Sequence, residues 1–106
     1  MQTVGSLTDF NQKMEAHNHI ALFVHNPDDE ASRCAFRSIT EANYLSKTTL
    51  VYIADVTQVP DIHIFYQISN LPSLLFFMDG KLVNVLNGCQ ETDYLKALMN
   101  NSVLFT

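Results

Sequence analysis

The chain has 106 residues, 47% hydrophobic and 16% charged, with 3 glycines and 3 prolines, and 6 basic against 11 acidic residues give a formal charge of −5. A chain this long hides roughly two thirds of the surface its unfolded form exposes, so one domain over residues 1–106 is expected, without disulfide or metal staples. The aliphatic content excludes disorder, and the scattering of Lys13, Arg33, Arg37, Lys47, Lys81 and Lys96 speaks against a nucleic-acid partner.

No apolar run approaches the roughly 20 residues of a spanning helix, and Met1-Gln2-Thr3-Val4 does not open a basic-then-apolar signal peptide. No membrane association and a cytoplasmic location are therefore expected. The 2 cysteines, Cys34 and Cys89, form no Cys-x-x-Cys and no zinc-type pair of pairs.

After a short extended start at Thr3-Val4, Ser6-Leu7-Thr8-Asp9 resembles a capping box, and Leu7, Phe10 and Met14 carry helical spacing from Leu7 to Ala16. His19 to Val24 is a continuous apolar run of strand length, and His25-Asn26-Pro27-Asp28-Asp29 is a turn that ends in good N-cap residues. From Asp29 to about Leu45 there is no Gly or Pro. Asp29 and Glu30 suit a first helical turn, and Ala31, Ala35, Ile39, Ala42 and Leu45 make a small apolar stripe.

Thr49 to Ala54 reads as a β-branched, apolar strand closed by Asp55, and Val59 to Gln67 as a helix with Pro60 in its first turn. Ser73 to Met78 and Lys81 to Leu86, separated by Asp79-Gly80, predict a hairpin of antiparallel neighbours. Asn87-Gly88 breaks the second of these strands. A last helix starts at Glu91 or Thr92, with Tyr94, Leu95, Leu98 and Met99 on one face. The order β-α-β-α-β-α-β-β-α calls for an α/β fold, a central mixed sheet flanked by helices on both faces.

That order, and the run Tyr66-Gln67-Ile68-Ser69-Asn70-Leu71-Pro72-Ser73-Leu74-Leu75-Phe76-Phe77-Met78-Asp79-Gly80-Lys81-Leu82 followed by Gly88, resemble the thioredoxin family and imply the thioredoxin fold. The first half is similar in Phe10, the Ala21 to Val24 strand and Asp55. By resemblance Pro72 corresponds to the family's cis-proline, which borders the active site; an X-Pro bond taken alone is cis in only about 5% of cases.

The family's redox chemistry has no counterpart at the matching positions. Ungapped counting sets Asp28-Asp29-Glu30-Ala31 over Cys-Gly-Pro-Cys, there is no tryptophan, and Leu22 and Val51 stand where redox-active members keep an aspartate and a facing lysine. Acids at that turn suit the helix dipole but raise the pKa of a neighbouring thiol. A lengthened loop would instead make Cys34-Ala35-Phe36-Arg37 a monothiol Cys-x-x-Arg.

For these residues a plainer role outweighs the sharper one. Cys34 is a small, partly buried helix residue before it is a reactive thiol, and Cys89 is a loop cysteine before it is a redox sensor. A Cys34-Cys89 disulfide is a minority reading, because it needs Cα atoms within about 7 Å and the cytosol disfavours it. His17, His19 and His25 lack ligand spacing, so no metal and no cofactor are expected. Asp28-Asp29-Glu30 is a solvated helix cap before it is a docking site.

The leading expectation is a thioredoxin-like protein that has lost dithiol-disulfide activity and acts as a protein-binding or chaperone-like module for a protein or peptide partner. The resemblance places its groove at His25, Pro27, Asp28, Asp29, Leu71, Pro72, Gly88 and Cys89. The rival is a divergent monothiol-type oxidoreductase in cell redox homeostasis, using Cys34, with Cys89 resolving. A third reading, an assembly subunit, leans on the apolar tail Val103-Leu104-Phe105.

Overall fold

The computed structural model describes residues 1–46 and 48–100. Its elements run β1 (Gln2–Thr3), α1 (Leu7–Ala16), β2 (His19–His25), α2 (Glu30–Leu45), β3 (Leu50–Asp55), α3 (Pro60–Phe65), β4 (Ser73–Met78), β5 (Lys81–Asn87) and α4 (Thr92–Asn100). Lys47 and the tail Val103-Leu104-Phe105 lie outside the described residues. None of the described helices is long and apolar enough to cross a membrane.

The strands form a sheet in the order β1-β3-β2-β4-β5. β3 runs parallel to β1 and β2, whereas β4 runs antiparallel to β2 and β5. Side chains alternate across a strand, so β2 feeds two cores: Ala21 and Phe23 point to one, Ile20, Leu22 and Val24 to the other. The first core holds Ala35, Ile39 and Ala42 of α2 and Leu95, Leu98 and Met99 of α4. The second holds Phe10 of α1 and Ile62 of α3. This is the α/β architecture expected from the element order, a mixed sheet with helices on both faces.

Local chemistry sets the helix ends. Ser6 Oγ accepts from the Asp9 amide at 3.0 Å, and the Asp9 carboxylate accepts from the Gly5 amide at 2.9 Å. Asp29 caps α2 by accepting from the Ser32 amide at 3.3 Å. At the far end of α4, the Met99 carbonyl accepts from the Thr49 hydroxyl at 2.6 Å, Thr48 at 2.7 Å and Ser46 at 3.4 Å. Helices leave their last carbonyls without an internal partner, and here the segment leading into β3 supplies hydroxyls to one of them. The β4–β5 turn places Asp79 and Gly80 at φ 52° and 81°, the double positive φ that makes an Asp-Gly pair a hairpin turn.

Three sequence expectations are corrected. α3 ends at Phe65, not Gln67, because Gln67 turns left-handed at φ 55° and the Ile68 amide closes back on the His63 carbonyl at 2.8 Å. In α2, Ala31 and Leu45 lie exposed, and the buried place near the start belongs to Ser32, whose hydroxyl is bonded to Asn26 and Asp29. In α4, Tyr94 is 48% exposed while Leu95, Leu98 and Met99 face the core.

His25 ends β2 with only 8% of its surface exposed, its ring 4.6 Å from that of Phe23 and stacked at 14° on Phe36. Burial lowers its pKa from the ordinary value of 6.5, and the nearby Asp55 carboxylate opposes part of that shift.

Two tests address these features. Phe10 is fully buried and meets Phe77 edge-on at 5.1 Å, so Phe10→Ala is expected to cost about 3–5 kcal/mol in urea unfolding. A loss below about 1 kcal/mol would contradict the packing described. For His25 the folded state prefers the neutral ring, so its contribution is complete above the ordinary pKa. That contribution is lost as pH falls through the ordinary pKa and levels off below the folded-state value. His25→Phe is therefore expected to lose less stability than wild type between about pH 7.5 and about pH 5, and equal slopes would refute the assignment.

Candidate functional site

The turn from β2 into α2 is braced by its own polar groups. Asn26 Oδ1 accepts from the Asp28 amide at 3.0 Å, while the Asn26 amide donates to Ser32 Oγ at 3.3 Å. The Arg33 guanidinium reaches back to the Asp28 carbonyl at 3.0 Å and the Pro27 carbonyl at 3.5 Å. Asp28, Asp29 and Glu30 are all exposed. The start of α2 is thus a closed acidic cap with no thiol in it.

Both cysteines lie nearby but away from that cap. Cys34 is the fifth residue of α2, and Cys89 follows Gly88 in the β5–α4 loop. Their Cα atoms are 5.7 Å apart and their sulfurs are bonded at 2.01 Å, although 55 positions separate them in sequence. Cys34 is half-buried, whereas Cys89 is exposed. The hydroxyl of Ser38, one turn beyond Cys34 on the same edge of α2, lies 3.9 Å from the Cys89 sulfur. The sequence favoured an unpaired Cys34 and an unpaired Cys89, and the structure corrects this. The turn of chain after β5 brings Cys89 against α2, a closure that local spacing does not encode. Ser38 had a faint local signal, its position four residues after Cys34.

The disulfide adjoins the Pro72 segment. The Gly88 amide donates to the Pro72 carbonyl at 2.8 Å, and the Leu71–Pro72 peptide is cis. Ser73 fixes the same corner through its hydroxyl, 2.6 Å from the Asn70 carbonyl and 2.8 Å from Asn87 Oδ1. Of the sequence-derived groove residues, Pro72, Gly88 and Cys89 therefore meet in one place, with Leu71 adjoining Pro72 in the chain. Val24 pairs with Ser73, so His25 ends β2 at the Pro72 end of the sheet, where His25 and Pro27 line a cleft of about 330 Å³ with Ser32, Arg33, Phe36 and Arg37. His25 Nδ1 is buried there without a hydrogen-bond partner.

Beneath the turn, Leu22 and Val51 supply no titratable pair. Leu22 is fully buried and Val51 nearly so, but in the parallel register Leu22 sits beside Tyr52, and Leu22 and Val51 enter opposite cores. The sequence expectation that Val51 faces Leu22 is corrected accordingly. Burial raises the Tyr52 pKa, with the Asp9 carboxylate adding to the shift. Among the described residues no three of His, Cys, Asp and Glu gather to hold a metal ion.

Neither a family model nor a curated protein matches the sequence. Solved structures do match. A mutant thioredoxin from Halobacterium salinarum NRC-1 superposes with a TM-score of 0.83 at 19% identity, covering 92% of this chain and 86% of that one. Mitochondrial thioredoxin 3 from Saccharomyces cerevisiae, in its oxidized form, gives 0.83 at 16% identity with 92% of each chain covered. Fasciola hepatica thioredoxin gives 0.80 at 19% identity, over 92% of this chain and 96% of that one. At such identities the likeness is one of architecture: this chain has the thioredoxin fold, with no Cys-x-x-Cys at the start of its second helix.

Proposed function

We propose that the protein is a thiol-disulfide redox protein acting on polypeptide partners, with Cys34 and Cys89 as its redox couple in place of a dithiol at the start of α2. The observation that carries this reading is the Cys34–Cys89 bond, one of whose cysteines is exposed beside the Pro72 corner. Disulfides in the cytosol are usually transient and catalytic or redox-sensing. In a cytoplasmic setting an accessible pair would therefore favour an exchanging couple over a staple. The partner's chain would lie along the groove formed by Leu71, Pro72, Gly88 and Cys89.

A second reading is supported by the start of α2. Asp28, Asp29 and Glu30 form a capped acidic turn, and Leu22 supplies no proton relay beneath it. On that reading the protein is redox-silent and binds a peptide through the groove of His25, Pro27, Asp28, Asp29, Leu71, Pro72, Gly88 and Cys89.

Insulin reduction with dithiothreitol separates the two. The redox reading expects turnover above the dithiothreitol background that is lost in both Cys34→Ser and Cys89→Ser. Background rates in wild type, with partner capture retained in Cys34→Ser, would favour the silent binding module.

A further inference from the structure

The two sulfurs of the disulfide are not equivalent. Cys89 is exposed in a loop, while Cys34 is half-buried on a helix between the core residue Ala35 and the braced turn. Beside Cys89, Gly88 holds φ +78°, and a Cβ built on it would meet no atom within 4 Å. The space beside the Gly88 Cα, next to the exposed Cys89 in the chain, is therefore open. The Gly88 amide is already committed to Pro72, so the loop presents Cys89 without needing a ligand to order it.

Charge does not reverse this asymmetry. Along α2, Arg37 lies at i+3 from Cys34 and Glu30 at i−4, so the helix places one charge of each sign at neighbouring positions. As the fifth residue of α2, Cys34 is also past the first turn, where helix-dipole stabilisation falls away. Which sulfur is attacked in an exchange depends on access as well as on thiol pKa, and access differs here, with Cys89 exposed and Cys34 half-buried.

We infer that Cys89 is the sulfur at which an incoming thiolate enters and Cys34 the sulfur that leaves. The inference rests on the redox reading above and assigns its chemical polarity. The thiolate's electron pair forms a new bond to Cys89 Sγ. The Cys34–Cys89 bond breaks with its pair on Cys34 Sγ, which takes a proton from water. A second thiolate then attacks the sulfur of the first thiol in the mixed disulfide. It releases Cys89 as a thiolate beside the Ser38 hydroxyl and leaves the two external thiols joined as their disulfide. Two electrons enter the protein, and two thiols are oxidised.

The test uses 2-mercaptoethanol, a small neutral thiol, on the oxidised full chain, with acid quenching and peptide mapping. Trypsin cuts after Arg33 and Arg37, so Cys34 falls in the fragment 34–37 and Cys89 in the fragment 82–96. The early adduct is expected on the Cys89 fragment, with Cys34 recovered as a free thiol. A second measurement does not require the disulfide. Reduced Cys34→Ser, with Cys89 alone, is expected to react with an aromatic disulfide about tenfold faster than reduced Cys89→Ser. An early adduct on Cys34, or the reverse rate order, overturns the polarity while leaving the redox reading intact. A disulfide that no thiol opens overturns both. The polarity stands only if adduct and rates both point to Cys89.

Discussion

Strand β2 is apolar on both faces, and the rest of the structure is arranged around hiding it. A strand with one wet face needs a single cover, but Ile20, Leu22 and Val24 point one way while Ala21 and Phe23 point the other. Two helical layers are then required, together with a neighbour along each edge, which β3 and β4 provide. α2 and α4 are thereby confined to one face and α1 and α3 to the other. The same arrangement delivers the start of α2, the Pro72 corner and the β5–α4 loop to a common end of the sheet. The site's location follows from burying one strand, independently of any chemistry at the site.

What the site holds is a separate matter, because fold does not fix function. Here the end of β2 leads to Asp28, Asp29 and Glu30 in a self-satisfied cap, and the sulfurs have moved one turn along α2 and across to the neighbouring loop. The change affects more than position. A thiol in the first turn of a helix gains from the positive end of the dipole, whereas Cys34 lies past that turn and Cys89 sits exposed in a loop with the Ser38 hydroxyl near its sulfur. The acidic cap, hostile to a thiolate within it, is compatible with a disulfide outside it.

Much of this was legible in the residues. Ser73 to Met78 reads correctly as a strand because Pro72 and Asp79-Gly80 punctuate both ends, and α1 and the cap of α2 follow from Ser6 and Asp29. What failed depends on tertiary context. Tyr94 and Leu45 fit an apolar stripe by spacing, yet sit where no layer covers them. The partner of Leu22 depends on the register of β2 against β3, and a shift of one residue moves a side chain to the other core. The Cys34–Cys89 pairing depends on closing a 55-residue separation, which composition and periodicity do not report.

The hydroxyls gathered on the Met99 carbonyl bear on what reduction does. α4 is fastened to its surroundings at both extremities: the loop before it is bonded to α2 through Cys89, and its last turn is held by Ser46, Thr48 and Thr49. Opening the disulfide releases one fastening and leaves the other, along with the buried Leu95, Leu98 and Met99. The reduced protein therefore keeps α4 docked like a door on its hinge side. The freedom gained is concentrated at the latch, in the few residues between Asn87 and Thr92 that border Pro72.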